Sequence, residues 1–235
     1  MVSISSQIVI TGIGAVTPLG NSFDAIGDAL QGGHSGIDFY DFGTFSRQQE
    51  HAAARVQSVD VETDDNIISS SWRIEKSSRL EQFTVVPSAL ALADAGIQTS
   101  SCTVDQKNRI GFIAGIGAEQ LKDWEHDFLD GGHDVFHAKR QPSLVHRAAQ
   151  ILGIHGPAAT VAAACASSGY ALALGKTWLE TGLVDACVVG GCDVLSPTAL
   201  AAFHNLRALS RREDDPKKTS RPFDQDRDGF VMGEG

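Results

Sequence analysis

The sequence predicts an α/β protein built on a mixed, mostly parallel sheet with helices on both faces, and three observations support this. Short apolar runs typical of buried strands alternate along the chain with segments whose apolar residues recur at helical spacing. Hydrophobic residues make up 42% of the 235 residues and glycines number 24, a composition typical of a compact α/β protein. No repeat of 20–50 residues and no low-complexity linker divides the chain, so residues 1–235 are predicted to form one domain.

The N-terminal run over residues 8–14 is β-rich and enters a glycine turn, which predicts an opening strand. Gly12 and Gly14 suggest a dinucleotide-binding loop. The third glycine position of that motif is Thr17, however, and Pro18 stands where the motif needs a helix to continue. A nucleotide site is therefore disfavoured.

The remaining elements follow from capping residues, glycines and apolar spacing. Before residue 100 these are a capped helix from 21–24 to Leu30, a surface excursion over 31–75 with a strand near 52–56, and a helix over 77–95 that contains Pro87 and ends at Gly96. Pro87 predicts either a kink or a late helix start. Later elements are a buried strand over 109–115, helices over 119–132 and 140–152, a strand before Cys165, a helix over 168–181, a strand over 186–191 and a helix over 197–206.

Net charge, the distribution of apolar residues and the cysteine spacing argue against several classes of function. The formal net charge of −10 argues against a nucleic-acid partner reached through general electrostatics. The N-terminus lacks the basic and apolar regions of a signal peptide, and no 18-residue apolar run predicts a membrane span. The four cysteines show no paired or metal-finger spacing, which indicates free thiols in a reducing, cytoplasmic setting: Cys102, Cys165, Cys187 and Cys192.

Two features imitate metal sites without fitting them. The run Asp224–Gly229 resembles the start of a calcium loop, but the position that needs a bidentate glutamate is Gly235, and Glu234 comes one residue early. Three histidines share an acidic segment interrupted by a glycine pair and are interpreted as solvated surface residues: His126, His133 and His137.

Cys165 is the candidate nucleophile, because it lies where a β-branched run meets the start of a helix. The unpaired N–H groups and positive dipole end of that helix would favour a thiolate. A lone cysteine is more often a buried structural residue, and none of the eight histidines lies in a motif that identifies it as a catalytic base. Five cations close together are either a solvated face or a docking patch for an acidic or phosphorylated partner: Arg207, Arg211, Arg212, Lys217 and Lys218.

Five stretches, in this order, resemble the elongating β-ketoacyl-acyl carrier protein synthases of the thiolase superfamily. They are the opening run 9–20, the nucleophile segment 156–168, the strand 188–193, the motif Arg207-Ala208-Leu209-Ser210 and the motif 220–235. The last motif is specific to the elongating type. The fold implied is the N-terminal half of a thiolase-like protein.

The resemblance implies that Cys165 takes an acyl chain from a carrier-protein thioester, after which malonyl carrier protein loses carbon dioxide and condenses with it. The Cys165 backbone N–H would be one of two oxyanion donors, Phe203 would line the acyl pocket, and Arg212 would contact the acyl carrier protein. No cofactor or metal is implied, and the chain is expected to dimerise with itself or with a related synthase chain. The pathway, fatty acid or polyketide, stays open.

The sequence departs from the family in two respects. Ala163 stands where relatives commonly have threonine. The two histidines, the lysine and the gating phenylalanine of such synthases belong to a second half of similar size, so residues 1–235 are expected to be a fragment or split subunit that does not condense alone. The alternatives are a non-catalytic, chain-length-factor-like partner, which typically lacks the nucleophile, and a generic thiol hydrolase or thiolase, which lacks the C-terminal motif.

Overall fold

A computed structural model describes residues 7–42, 50–59, 67–117, 121–132 and 143–235. Its helices are α1 Phe23–Gln31, α2 Arg79–Asp94, α3 Val104–Asn108, α4 Leu121–Leu129, α5 Leu144–Ile151, α6 Ser167–Glu180 and α7 Pro197–Asn205. Its strands are β1 Ile37–Asp41, β2 Glu50–Ala54, β3 Ile110–Gly115, β4 Ala158–Val161, β5 Ala186–Gly191 and β6 Met232–Gly233. Single 3₁₀ turns lie at Ile74–Lys76, Thr99–Ser101 and Pro216–Lys218.

The contacts divide the chain into two compact units. The first unit takes its described residues from Met1–Ala15, Val61–Gly117 and Pro142–Cys192. The second unit takes its described residues from Val16–Asp60, Ala118–Gln141 and Asp193–Gly235. Each unit contains one three-stranded sheet.

The sheet of the first unit is parallel throughout, with strand order β4-β3-β5, which confirms the predicted parallel arrangement. All six residues of β3 are buried, as expected for the central strand of a sheet covered on both faces. Helix α6 packs on one face. There Gly111 of β3 leaves room for the Trp178 side chain of α6, and Gly175 of α6 leaves room for the Val189 side chain of β5. On the other face, the Thr84 hydroxyl of α2 lies 3.2 Å from the Cys192 thiol.

The predicted opening strand over residues 8–14 is not found, because no described strand pairs with this run. An open groove of about 1050 Å³ lies beside it, between this run, α2 and β5, and Ile10 is 80% exposed. Gly12 and Gly14 serve close packing, since a Cβ at either would collide with a backbone carbonyl of α2, that of Ala91 or Pro87. Both glycines are therefore explained without a nucleotide.

Helix α2 confirms the helix predicted over 77–95 and is continuous through Pro87, so of the two alternatives for this proline the late helix start is wrong. The Ser78 hydroxyl caps its N-terminus by accepting the N–H of Glu81 at 3.2 Å. Gly96, with φ of +70°, ends it in the left-handed conformation that favours glycine. The helices predicted over 21–30, 140–152 and 197–206 correspond to α1, α5 and α7.

The sheet of the second unit is mixed: β1 pairs antiparallel with β2, and β2 pairs parallel with β6. Strand β2 confirms the strand predicted near 52–56, whereas β1 was not predicted from its polar surroundings. Helix α4 lies in the segment predicted to be helical over 119–132, and the side chain of His126, like His133 and His137, lies outside the described residues. None of the helices in the described ranges is long and apolar enough to cross a membrane.

Candidate nucleophile site

Cys165 lies in the turn between the end of β4 at Val161 and the start of α6 at Ser167, and its side chain is exposed. The helix begins one residue earlier than predicted, with Ala166 as its N-cap. Ala166 has no side-chain acceptor, so no side chain at the capping position bonds the first N–H groups of α6. The end of a parallel strand meets a helix N-terminus here, as the sequence predicted.

The turn that carries Cys165 is strained. Ala164 has a φ of +50°, in the left-handed region that costs a non-glycine residue about 1–2 kcal/mol. Two backbone hydrogen bonds close the turn, from Ala166 N–H to Ala163 C=O and from Ser167 N–H to Ala164 C=O, both at 3.1 Å. A strained residue persists at a functional turn only where its surroundings hold it.

Ser167 holds both residues that precede the nucleophile. Its hydroxyl accepts the N–H of Ala163 at 2.9 Å and donates to the C=O of Ala164 at 2.7 Å. The residue is only 4% exposed. One bond ends on the residue before the left-handed Ala164 and the other on Ala164 itself. The hydroxyl therefore stabilises the turn and not the helix to which Ser167 belongs.

Two glycines form the floor beneath the first turn of α6. Gly115 of β3 and Gly191 of β5 are paired neighbours at the carboxyl ends of their strands. A Cβ at Gly115 would collide with the Ser167 backbone, and a Cβ at Gly191 would collide with the Ser168 hydroxyl. Only glycine lets the helix start this close to the sheet. The short separation between helix and sheet determines how far the Cys165 turn lies from the sheet.

The four cysteines are all free thiols, and they differ in their surroundings. Burial raises the pKa of Cys187 to about 11, which keeps it a neutral core residue. Cys192 meets the Thr84 hydroxyl, and Cys102 lies 3.5 Å from the carbonyl of Gln98. Cys165 is the exposed member of the set.

Phe203 lies on α7 in the second unit and packs edge-on against Phe230, with ring centroids 5.2 Å apart. The Phe230 N–H bonds the carbonyl of Ala208, and the Ser210 N–H bonds the carbonyl of Phe230, both at 3.0 Å. The aromatic pair is thus fixed by the backbone that follows α7.

Arg212 lies close to the same segment. Its Nε is 3.5 Å from Asp228 Oδ1, and its terminal nitrogen donates to the carbonyl of Asp226 at 2.8 Å. The pKa of Asp228 is lowered, first by the hydrogen bond from the Ser210 hydroxyl and next by that from the Arg211 N–H. The ionised carboxylate therefore holds Arg212 in place. Its predicted contact with a carrier protein stays a prediction.

The second unit thus brings two predicted residues, Phe203 and Arg212, to one short segment, since Phe230 contacts the first and Asp228 the second. Cys165 belongs to the first unit. Ser167 and the two floor glycines, Gly115 and Gly191, were not predicted from the sequence. A signal for the glycines was present, because both predicted strands end in glycine.

Comparisons with known proteins find relatives that align with nearly the whole chain. The family model described as "Beta-ketoacyl synthase, N-terminal domain" matches residues 5–235. A 3-oxoacyl-[acyl-carrier-protein] synthase 2 of Synechocystis is 32% identical over 97% of this chain and 56% of its own length. A protein named as polyketide beta-ketoacyl synthase 1 in Streptomyces halstedii is 32% identical over 98% of this chain and 57% of its own length.

A solved structure titled "The ishigamide ketosynthase/chain length factor" superposes with a TM-score of 0.74 at 26% identity, covering 97% of this chain and 56% of that one. The chain therefore spans little more than half the length of the relatives it matches. Its match to the family model and its thiolase-like fold lead to one conclusion: the chain belongs to the beta-ketoacyl synthase family and corresponds to the N-terminal domain of that family.

Proposed function

We propose that residues 1–235 are the nucleophile-bearing domain of a 3-oxoacyl-acyl carrier protein synthase. The observation that carries the proposal is Cys165, an exposed thiol on a strained turn that Ser167 and two glycines hold at the start of α6. Such a turn presents a nucleophile to an incoming carbonyl and keeps its backbone N–H in a fixed direction.

In the first step, the Cys165 sulfur attacks the carbonyl carbon of an acyl-carrier thioester. The carrier's thiol leaves and takes up a proton, and the acyl group stays on Cys165 as a new thioester. In the second step, malonyl carrier protein loses carbon dioxide, and the resulting carbanion attacks the same carbonyl and displaces the Cys165 sulfur. The Cys165 N–H is proposed as one oxyanion donor, an effect of about 3–4 kcal/mol in comparable sites.

The groups that promote decarboxylation are proposed to lie in the part of the relatives' length that this chain does not cover. The acyl chain is proposed to contact Phe203, whose edge-on packing on Phe230 gives it a fixed apolar surface. Neither cofactor nor metal enters these two steps.

The acyl carrier protein is the proposed partner, since the Synechocystis relative's name refers to it. With a net charge of −10, the chain needs a local basic patch to meet an acidic partner. The five cations named above supply such a patch, and two of them are held by ion pairs, Arg212 with Asp228 and Lys218 with Asp215. Arg207 and Arg211 are exposed.

A second synthase chain is the other proposed partner, either a copy of this protein or a related subunit, and the proposed setting is the cytoplasm. The ketosynthase/chain length factor similarity supports pairing between related chains. Tyr170 and Leu172 of α6 are 62% and 53% exposed, so apolar surface on this helix is available for a partner chain to cover.

The test is acylation of the full-length protein by an acyl-carrier thioester, followed by intact mass. We expect one acyl adduct on the parent and on Cys102→Ala, and none on Cys165→Ala, which should also lose condensation. An adduct that persists on Cys165→Ala would contradict the proposal. Residues 1–235 alone are expected not to condense, so turnover by that purified segment with acyl and malonyl carrier proteins would contradict the expected need for further residues.

The second candidate function is a non-catalytic, chain-length-factor-like subunit, which the same structural similarity favours. The two candidates differ in one observable. A non-catalytic subunit would leave Cys165 unacylated in the presence of its partner chain and an acyl-carrier thioester, whereas a synthase would carry the acyl group at Cys165.

A further inference from the structure

We propose that Ser167 is a positioning residue for acyl transfer: its hydroxyl holds Ala164 in the left-handed conformation and thereby sets the direction of the Cys165 thiol and N–H. This inference rests on the proposed function of Cys165. It adds a residue whose role lies in the geometry of the reaction, since Ser167 itself need not touch the substrate.

The hydrogen-bond pattern separates Ser167 from a helix cap. A capping serine precedes the helix and accepts an N–H from its second or third residue. Ser167 is instead the first residue of α6, and its hydroxyl reaches back to Ala163 N–H and Ala164 C=O. Both bonds therefore end on the two residues before Cys165.

The location of Ser167 makes these bonds effective. The residue is 4% exposed, so water competes little for either partner. Gly115 lies directly beneath it, where a Cβ would stand 2.6 Å from the Ser167 carbonyl oxygen and 2.5 Å from the Ser168 nitrogen. The backbone of Ser167 thus packs against the sheet, while its hydroxyl bonds the turn.

Removing the hydroxyl has a defined consequence for the turn. In Ser167→Ala, the N–H of Ala163 loses its acceptor and the carbonyl of Ala164 keeps only the Ser167 N–H. Only the two backbone hydrogen bonds of the turn then oppose the strain of the left-handed φ of Ala164, and this residue relaxes toward an ordinary conformation. The Cys165 N–H turns away from the position in which it can meet a developing oxyanion.

The primary measurement is single-turnover acyl transfer to the full-length protein from an acyl-carrier thioester. We expect Ser167→Ala to slow this step by about 10- to 100-fold, the size of effect that a small misplacement of a reacting group causes. Alkylation of the same thiol by iodoacetamide should change little, because that reagent needs access but no oxyanion donor. Ser168→Ala, an exposed neighbour on the same turn of helix, is the matched control and should acylate as the parent does.

A second variant separates positioning from general damage. Glycine adopts a positive φ without strain, so Ala164→Gly in the Ser167→Ala background should restore most of the lost acyl-transfer rate. Ala163→Gly in the same background adds equal flexibility at a residue without a positive φ and should restore none. If Ser167→Ala alone does not fold, the same two double variants are compared with each other.

Three results would overturn the inference: acyl transfer in Ser167→Ala at the parent rate, equal loss of acyl transfer and alkylation, or equal rates in the two double variants. Failure of the parent to acylate at Cys165 would instead reject the proposed function, so the two failures are distinguishable.

Discussion

The carboxylate of Glu234 accepts the backbone N–H of Leu195 at 3.2 Å, across 39 residues of chain. Its other oxygen accepts the N–H of Val56 at 3.1 Å, and Glu234 is 7% exposed. One side chain thus joins three segments of the second unit that are far apart in sequence. Leu195 immediately precedes Ser196, the residue that caps α7, so this bond also fixes the start of the helix that carries Phe203.

Glu234→Ala should therefore be strongly destabilising. Two buried N–H groups lose a charged acceptor, and hydrogen bonds to charged groups contribute about 1.5–3 kcal/mol each, so we expect a loss of about 3 kcal/mol or more. Urea unfolding of the full-length protein measures this. The control is Glu180→Ala, which removes an exposed glutamate paired with Lys176 and should change the free energy of unfolding by under about 0.5 kcal/mol. Equal effects of the two substitutions would contradict this role of Glu234.

Arg207→Gly should stabilise the protein. Helix α7 ends in a Schellman motif, with Arg207 N–H bonded to His204 C=O at 2.9 Å and Ala208 N–H bonded to Phe203 C=O at 3.1 Å. Arg207 occupies the left-handed position of this motif with φ of +55°, where glycine is unstrained. We expect a gain of about 0.5–1 kcal/mol in the free energy of unfolding. Arg211→Gly removes the same charge at a residue without a positive φ and should give no gain. A loss of stability in Arg207→Gly would contradict the strain argument.

His51→Gln should weaken the acid sensitivity of the fold. His51 is 8% exposed and packs edge-on against His204, with ring centroids 5.8 Å apart. Burial, followed by His204, lowers the pKa of His51, while Glu213 acts in the opposite direction. Because the folded pKa lies below the unfolded value of about 6.5, the folded state favours neutral His51, and stability falls as pH drops below that value.

The measurement for His51 is the free energy of unfolding between pH 7.5 and 5. The parent should lose more stability over this interval than His51→Gln does. His155→Gln, which removes an exposed histidine, should follow the parent curve. Parallel curves for the parent and His51→Gln would show that His51 is not the group responsible.

Local signals in the sequence predicted the elements that are decided locally. Ser22 caps α1 and Ser196 caps α7 through their own hydroxyls, and Gly96 ends α2 with a positive φ, so these boundaries depend on residues within one turn of them. The position of Cys165 between a strand and a helix was predicted in the same way.

Features that depend on distant partners were not predictable from local patterns. The run over 8–14 has the composition of a strand, but a strand also needs a neighbour, and that run lies beside an open groove. Strand β1 lies within a polar, glycine-broken stretch of sequence and depends on its pairing with β2. Ser167 gives no sign in the sequence that its hydroxyl reaches backwards. Gly115 stands out as the end of a predicted strand, but its contact with the Ser167 backbone exists only when α6 packs on the sheet.

Gly115→Ala should slow acyl transfer to Cys165, although the substitution is not made at Cys165 itself. The added methyl would collide with the Ser167 backbone, so α6 must lift from the sheet and carry the Cys165 turn with it. Overpacking of this kind costs about 1–3 kcal/mol, and the displaced turn should slow acyl transfer to Cys165 by about 10- to 100-fold. Gly190→Ala is the matched control, because a Cβ at Gly190 of β5 meets no atom within 4 Å.

Thermal unfolding and single-turnover acylation are measured on both glycine variants of the full-length protein. The expected pattern is lower stability and slower acylation in Gly115→Ala, with both quantities unchanged in Gly190→Ala. If Gly115→Ala lowers stability but acylates at the parent rate, the height of α6 above the sheet does not control the thiol. The bonds that Ser167 makes within the turn would then have to orient Cys165 without support from the sheet.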